Sequence, residues 1–282
     1  MALSAQRRAE LLERVRPLAD ELVDAQAQLK RPLLFGLSGA QGTGKSTIAT
    51  LLKDELTDHG LRSVVLSIDD LYLTRAERAR LAQDVHPLLQ TRGVPGTHDI
   101  ALGATLFDRL RDAAPDTETA LPVFDKAVDD RAPEPRIFVG RPEVIIFEGW
   151  CVGCRPQETS ELAKPINELE SELDACAAWR GFVNEALAGS YAAFFDRLDF
   201  LLFLKAPDMA CVIAWRSEQE QELATQRATS GGDGSAIMND AEIRRFIMHY
   251  ERLTRWMIHD LPSRADAVLR FDANHQLVGA NK

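Results

Sequence analysis

Positive charge is in short supply. Lys and Arg number 33 against 43 Asp and Glu, a formal net charge of −10 over 282 residues. Sequence-independent nucleic-acid binding needs a basic surface, so this balance argues against a nucleic-acid partner. Long apolar runs are missing too. No stretch approaches the roughly 20 residues of a membrane span. Met1–Arg8 leads straight into an amphipathic pattern with no signal-peptide core. The chain is therefore expected to be cytoplasmic, with no membrane partner. Cysteine is scarce: Cys151, Cys154, Cys176 and Cys211. Cys151-x-x-Cys154 has no second such pair and no His pair at metal spacing, which leaves a four-ligand zinc site poorly supported. It also follows a strand end instead of opening a thioredoxin-like helix, so the thiols read as reduced and incidental. Hydrophobic residues make up 45%. That suits a globular chain with one large α/β domain or two small ones.

What is present is a phosphate loop, Gly39-Ala40-Gln41-Gly42-Thr43-Gly44-Lys45-Ser46. It follows the apolar run Leu33–Leu37 and opens a periodic helix at Thr47, the strand–loop–helix setting that G-x-x-x-x-G-K-[ST] requires. Gly42 and Gly44 allow consecutive N–H groups to turn onto a phosphate. The helix start adds its positive end. Lys45 can bridge the β- and γ-phosphates, and the Ser46 hydroxyl can ligate Mg²⁺. The pattern predicts ATP as cofactor, with Mg²⁺.

Periodicity predicts helices over 4–29, 75–84, 100–112, 168–188, 208–227 and 240–259. Strands are predicted at Leu33–Ser38, Ser63–Ile68, Val144–Phe147, Asp199–Leu204 and Ala267–Phe271, with Ser230–Ser235 as a flexible break. This alternation predicts an α/β fold, a P-loop NTPase-type parallel β-sheet covered by helices on both faces. Residues 1–30 are read as a helix packed outside the core without a functional role. Residues 31–282 are read as a single domain.

Ligands of an open parallel sheet sit beyond the carboxyl ends of its strands. Glu148 closes one strand, where it can hold Mg²⁺ through a water or orient an acceptor. Asp69 and Asp70 close another. If extended, they point to opposite sides and only one faces the phosphate. Asp69 is favoured as the carboxylate that orients an attacking hydroxyl and takes its proton, with Asp70 as a cap or supporting group. Arg92, His98 and Asp99 lie in a turn-rich stretch. There the residue types alone leave open whether His98 is a structural hydrogen bonder or a ligand contact. Lys126 beside Asp125 reads as readily as a solvated charge. Arg216 reads equally as packed, as paired, or as reaching the phosphates from a lid.

Five stretches occur together in a recognisable order: the phosphate loop, Ser67–Tyr72, Arg92–Asp99, Val123–Lys126 and Phe147–Trp150. In this they resemble the P-loop kinase group of phosphoribulokinase, uridine kinase and pantothenate kinase, and most of all D-glycerate 3-kinase and its microbial relatives. The resemblance covers about 31–282, and Arg-Gly-x-Pro-Gly-Thr-His-Asp is its most specific part. It implies an ATP- and Mg²⁺-dependent kinase with Asp69, which opens the Asp-x-x-Tyr stretch ending at Tyr72, as base. It also implies an acceptor pocket from Arg92, His98, Asp99, Asp125 and Lys126, and a helical lid at about 208–240 carrying Arg216. Two departures stand out: Phe124 replaces a frequent Tyr, and the segment after Lys126 is short. Arg92 and Lys126 suit a carboxylate-bearing acceptor. The expected reaction is phosphorylation of a small hydroxy acid, D-glycerate first, by a monomer or homodimer. A nucleoside, pantothenate or sugar phosphate is the alternative acceptor. A regulatory GTPase lacks its Asn/Thr-Lys-x-Asp element here. Ser230-Gly231-Gly232 suits a hinge better than a transport-ATPase signature.

Overall fold

The computed structural model describes residues 5–230 and 238–281. The first helix, α1 (Ala5–Ala27), precedes β1 (Leu33–Gly39). Then come α2 (Lys45–Asp58), β2 (Ser63–Ser67), α3 (Arg75–Asp84) and α4 (Ile100–Asp112). Four short strands follow: β3 (Glu118–Leu121), β4 (Phe124–Asp125), β5 (Asp130–Arg131) and β6 (Arg136–Val139). After β7 (Val144–Gly149) the chain forms α5 (Glu168–Leu173), α6 (Ala178–Ala186) and α7 (Ala192–Phe195). It continues with β8 (Phe200–Lys205), α8 (Met209–Ser230), α9 (Asp240–Asp260), β9 (Ala267–Phe271) and β10 (Leu277–Asn281).

The main sheet has the order β10-β9-β8-β1-β7-β2. Strand β1 pairs in parallel with β7 on one side and β8 on the other. Alternation along β1 explains the two-sided core. Leu33, Phe35 and Leu37 pack with Leu11, Val15 and Leu22 of α1 and with Ile48, Leu51 and Leu52 of α2. Leu34 faces the opposite layer, where α4, α6, α7 and α9 meet Val64, Leu66, Ile145 and Phe147. The chain leaves β1 for β2, returns to fill β7, then crosses to β8. Direction thus reverses around β1, and the crevice beyond its carboxyl end is where such folds bind ligands.

Within the main sheet the parallel expectation holds across β2, β7, β1, β8 and β9, while β3–β6 and β4–β5 form separate antiparallel pairs. The last strand differs, because β10 runs antiparallel to β9. It gave no sequence signal because it is short and interrupted by Gly279, and its Val278 is exposed. The helix predicted over 168–188 is broken. Ala177 takes a left-handed φ of 60°, and Asp174 accepts from the Trp179 and Arg180 N–H groups, so α6 begins afresh. Leu187–Tyr191 then forms a π-helical turn with Gly189 outside helical angles. Strand β2 stops at Ser67, since Ile68–Leu71 closes a 3₁₀ turn in which Ser67 Oγ accepts from Asp69 N. Of the predicted break at Ser230–Ser235, residues 231–235 lie outside the described residues. Among the described residues, no helix is long and apolar enough to cross a membrane.

Candidate active site

Strand β1 delivers the chain to Gly39, and α2 starts at Lys45. The loop between them needs left-handed backbone at Gly42 (φ 81°) and Gly44 (φ 88°). Gly42 is constrained twice, because an added Cβ would sit 2.8 Å from the Trp215 Cβ of α8. Thr43 Oγ1 donates to Ala40 O at 2.9 Å, and Lys45 Nζ donates to the same carbonyl at 3.1 Å. Thr43 is thus turned into the loop, while the Ser46 side is exposed.

A cavity of about 420 Å³ lies in front of this loop. It brings together Gln41, Gly42, Lys45, Ser46, Asp69, Tyr72, Arg92, Lys126, Glu148 and Arg216 from the residues singled out in the sequence. Burial raises the Glu148 carboxyl, and the Lys45 charge works against it. Burial likewise lowers the Lys45 ammonium, with Glu148 and Asp69 opposing. At Asp69 burial pulls upward, but Lys126 outweighs it and holds the carboxyl below its ordinary range. The contact responsible is the Lys126 Nζ–Asp69 Oδ2 ion pair at 2.6 Å.

Asp69 and Asp70 sit in a 3₁₀ turn, so the extended-chain argument that separates them does not apply, and both line the cavity. They are engaged differently. Asp70 Oδ1 accepts from Phe124 N at 3.1 Å, tying β4 to the site, while Asp69 meets Lys126. Arg92 pairs with Asp129 and lies 5.5 Å over the Phe124 ring. Arg216 is both paired and at the cavity: it meets Glu220 at 2.6 Å and the Phe246 ring at 5.7 Å.

Several named residues do not line this cavity. Gly39 and Ala40 of the loop are absent from its lining, and Thr43, Gly44 and Thr47 line a cavity on the other flank of the loop. Asp99 caps α4, its carboxylate accepting from Leu102 N at 2.9 Å and pairing with Arg131 at 3.3 Å. Asp125 is exposed and accepts from Ala127 N, which shapes the β4–β5 turn. His98 is buried behind Tyr72, with ring centroids 4.5 Å apart.

Sequence reasoning missed the posts that hold the loop at 92–99. Trp150 Nε1 donates to Gly93 O at 2.8 Å, and Tyr250 Oη donates to Arg92 O at 3.1 Å. Tyr250 and Phe246, both on α9, also line the cavity. Their helical spacing reads as core. The one available signal was the rarity of tyrosine, with three in the chain.

A second cavity, of about 140 Å³, lies on the other flank of the loop. Thr47, Phe271, His275, and Arg7 and Leu11 of α1 line it. His275 stacks on Trp215 with centroids 3.8 Å apart and a 12° interplanar angle.

The phosphate loop at the end of the central strand, facing Asp69 just past β2 and Glu148 of β7, is the arrangement of a P-loop kinase fold. No family model matches the chain. It is 34% identical over 230 residues to the "uncharacterized kinase mug58" of Schizosaccharomyces pombe, covering 78% of this chain and 79% of that protein. It is 29% identical to the chloroplastic D-glycerate 3-kinase of Arabidopsis thaliana over 78% of this chain, although the match spans only 46% of that longer protein. The solved D-glycerate 3-kinase of Cryptococcus neoformans superposes with a TM-score of 0.77 at 27% identity, covering 95% of this chain and 98% of that one. The chain belongs to the P-loop kinase family that includes the D-glycerate 3-kinases.

Proposed function

We propose that the protein transfers the γ-phosphoryl group of ATP to a hydroxyl of a small hydroxy acid, with D-glycerate as the acceptor. The observation that carries this reading is the placement of Asp69, 2.6 Å from Lys126 and in one cavity with Arg92 and the phosphate loop. A carboxylate bounded by cations is suited to an acceptor that brings both a hydroxyl and an anionic group. The glycerate kinases among the relatives support the same acceptor.

In this reading the loop amides and Lys45 hold the β- and γ-phosphates. The Ser46 hydroxyl and the buried Glu148 carboxylate supply the hard oxygen donors that Mg²⁺ favours alongside phosphate oxygens. Among the described residues no cluster of three acids, histidines or cysteines forms an all-protein metal cage. That fits an ion held mainly by substrate. When bound, Mg²⁺ supplies charge neutralisation between the phosphates. Asp69 accepts the hydrogen bond of the acceptor hydroxyl and takes its proton as the acceptor O–P bond forms and the bond from Pγ to the ADP oxygen breaks. Arg92 and Lys126 face the acceptor carboxylate, with Tyr72 as the wall beside Asp69. Arg216 neutralises charge developing on the transferred group. The second cavity takes the nucleobase against His275, which gives α1 a part in the site. Residues 31–282 act as one kinase domain, with α8 and the start of α9 as lid.

Coupled ADP release across D-glycerate, other hydroxy acids, nucleosides, pantothenate and sugar phosphates tests the reading. Turnover with D-glycerate well above all others is expected. Transfer confined to a nucleoside or pantothenate, or ADP release equally fast without acceptor, overturns it.

A further inference from the structure

One oxygen of the residue read as the base is already engaged. Asp69 Oδ2 is paired with Lys126 at 2.6 Å, which offsets the negative charge with which a base draws in a hydroxyl proton. The root of Lys126 is fixed while its ammonium is not. It stands between β4 and β5 on a hairpin held at several points. Arg78, fully buried, donates to Asp129 O at 2.7 Å and meets the Asp129 carboxylate at 2.9 Å. Arg131 Nε donates to Tyr72 O at 3.0 Å. The Lys126 side chain is nevertheless 61% exposed, a point charge on a flexible four-carbon stem. Arg92, the neighbouring cation, is already matched to Asp129 on the same hairpin. Lys126 is therefore the cation at this end of the cavity that has the freedom to change partner.

We propose that the Lys126–Asp69 pair is a latch opened by an anionic acceptor. The latch rests on the kinase reading of the site and on Asp69 as base. In the empty site Lys126 engages the Asp69 carboxylate and offsets its charge. An acceptor carrying a carboxylate or phosphate gives the ammonium a new partner and frees Asp69 for its hydroxyl. A neutral alcohol, or water, leaves the latch shut. Specificity for an anionic acceptor and suppression of wasteful hydrolysis then come from one contact. In the suppressed reaction a water O–P bond forms, the bond from Pγ to ADP breaks, and the water proton passes through Asp69 to solvent.

Lys126→Met tests this, with Asp69→Asn and the double variant as controls. Four quantities are measured: ADP release without acceptor, kcat/KM for D-glycerate, kcat/KM for neutral glycerol, and the KM for ATP. Lys126→Met is expected to raise acceptor-independent ADP release about tenfold or more, within the range of one general base. The double variant is expected to return it to the wild-type level. The preference for D-glycerate over glycerol should fall by about a hundredfold, with the KM for ATP within about twofold. Unchanged or lower hydrolysis in Lys126→Met overturns the latch, and a raised KM for glycerate as the only effect then leaves Lys126 as a simple contact. Hydrolysis that rises but persists in the double variant also overturns it, since Asp69 is then not what was released. Failure of the acceptor reading is seen separately, as wild-type protein that releases ADP with no acceptor in the screen.

Discussion

The phenol oxygen of Tyr191 lies 2.6 Å from His98 Nδ1 and accepts the Gly96 N–H at 2.9 Å. One side chain from the π-turn after α6 thus holds both the middle and the end of the loop at 92–99. Burial keeps the phenol far above its ordinary pKa, so it retains its proton. The phenol and His98 Nδ1 share one hydrogen bond, while His98 Nε2 is buried without a hydrogen-bond partner.

Tyr191→Phe removes both bonds and leaves a Gly96 N–H without its partner. An unmet buried donor costs about 1–3 kcal/mol. We expect a loss of that size in urea unfolding and a raised KM for the acceptor, with the KM for ATP unchanged. Equal increases in the two KM values would place the effect outside the acceptor loop.

His98 also makes stability depend on pH. Burial pushes its pKa from the ordinary 6.5 to about 3. Between those values the unfolded chain binds a proton that the folded chain refuses. The stabilisation is therefore fully present above about pH 6.5 and is lost as pH falls towards 3, at about 1.4 kcal/mol per pH unit within the window. In His98→Gln the slope of unfolding free energy between pH 6 and pH 4 should be shallower by about that amount. Identical slopes in the two proteins would remove His98 as the cause.

The donor half of the site was legible because a phosphate loop is a contiguous backbone device. Its glycines, lysine and serine are dictated locally by left-handed angles and a helix start. Glu148 was legible as an acid near a strand end and Asp69 as one just past a strand. Tyr72, Arg92 and Lys126, across the cavity, were legible too. The contacts that hold this half were not, because they join residues far apart in sequence. Tyr250 reaches Arg92 across 158 positions and Tyr191 reaches Gly96 across 95. Asp99 carried the right residue type but serves as a helix cap, a use that its position before Ile100 already allowed. Strand β10 was invisible because an exposed edge strand with a central glycine carries no apolar run.

Gly93 shows how tightly that half is built. Its φ is 138°, and a Cβ there would lie 2.1 Å from Tyr250 Oη. Gly93→Ala must displace α9 or the loop, and the Trp150 bond to Gly93 O goes with it. We expect a loss of about 2–3 kcal/mol in unfolding free energy, in the range of overpacking with backbone strain. Truncating the post as well, in Gly93→Ala with Tyr250→Phe, should recover only part of it, since the ring carbons stand 2.5 and 2.7 Å from the same point. A fully stable single variant would show that this loop is not held as described.

On the other flank, His275 stacks on Trp215, whose backbone presses on Gly42. If the second cavity takes the nucleobase, His275→Ala removes one face of it and leaves the acceptor side alone. The KM for ATP should rise about tenfold, the scale of a lost stacking contact of about 1–1.5 kcal/mol. The KM for D-glycerate should stay within about twofold. An unchanged KM for ATP would move the base elsewhere.

On the proposed reading, Asp69 separates binding from chemistry. Its carboxylate is held ionised below the ordinary range, with Lys126 overcoming the upward pull of burial, so it carries no proton of its own at neutral pH. On the same reading, Lys45 and the loop amides hold the phosphates without it. Asp69→Ala is therefore expected to keep ATP affinity within about threefold, by equilibrium titration, while transfer falls by about 10²–10⁴, the range of a positioned base. Asp69→Asn keeps the shape of the side chain but can no longer take the proton, and it also removes the charge that Lys126 pairs with. It should be as inactive as the alanine form. Near-normal turnover in either variant would remove Asp69 from the chemistry, and a parallel collapse of ATP binding would make it part of the nucleotide site instead.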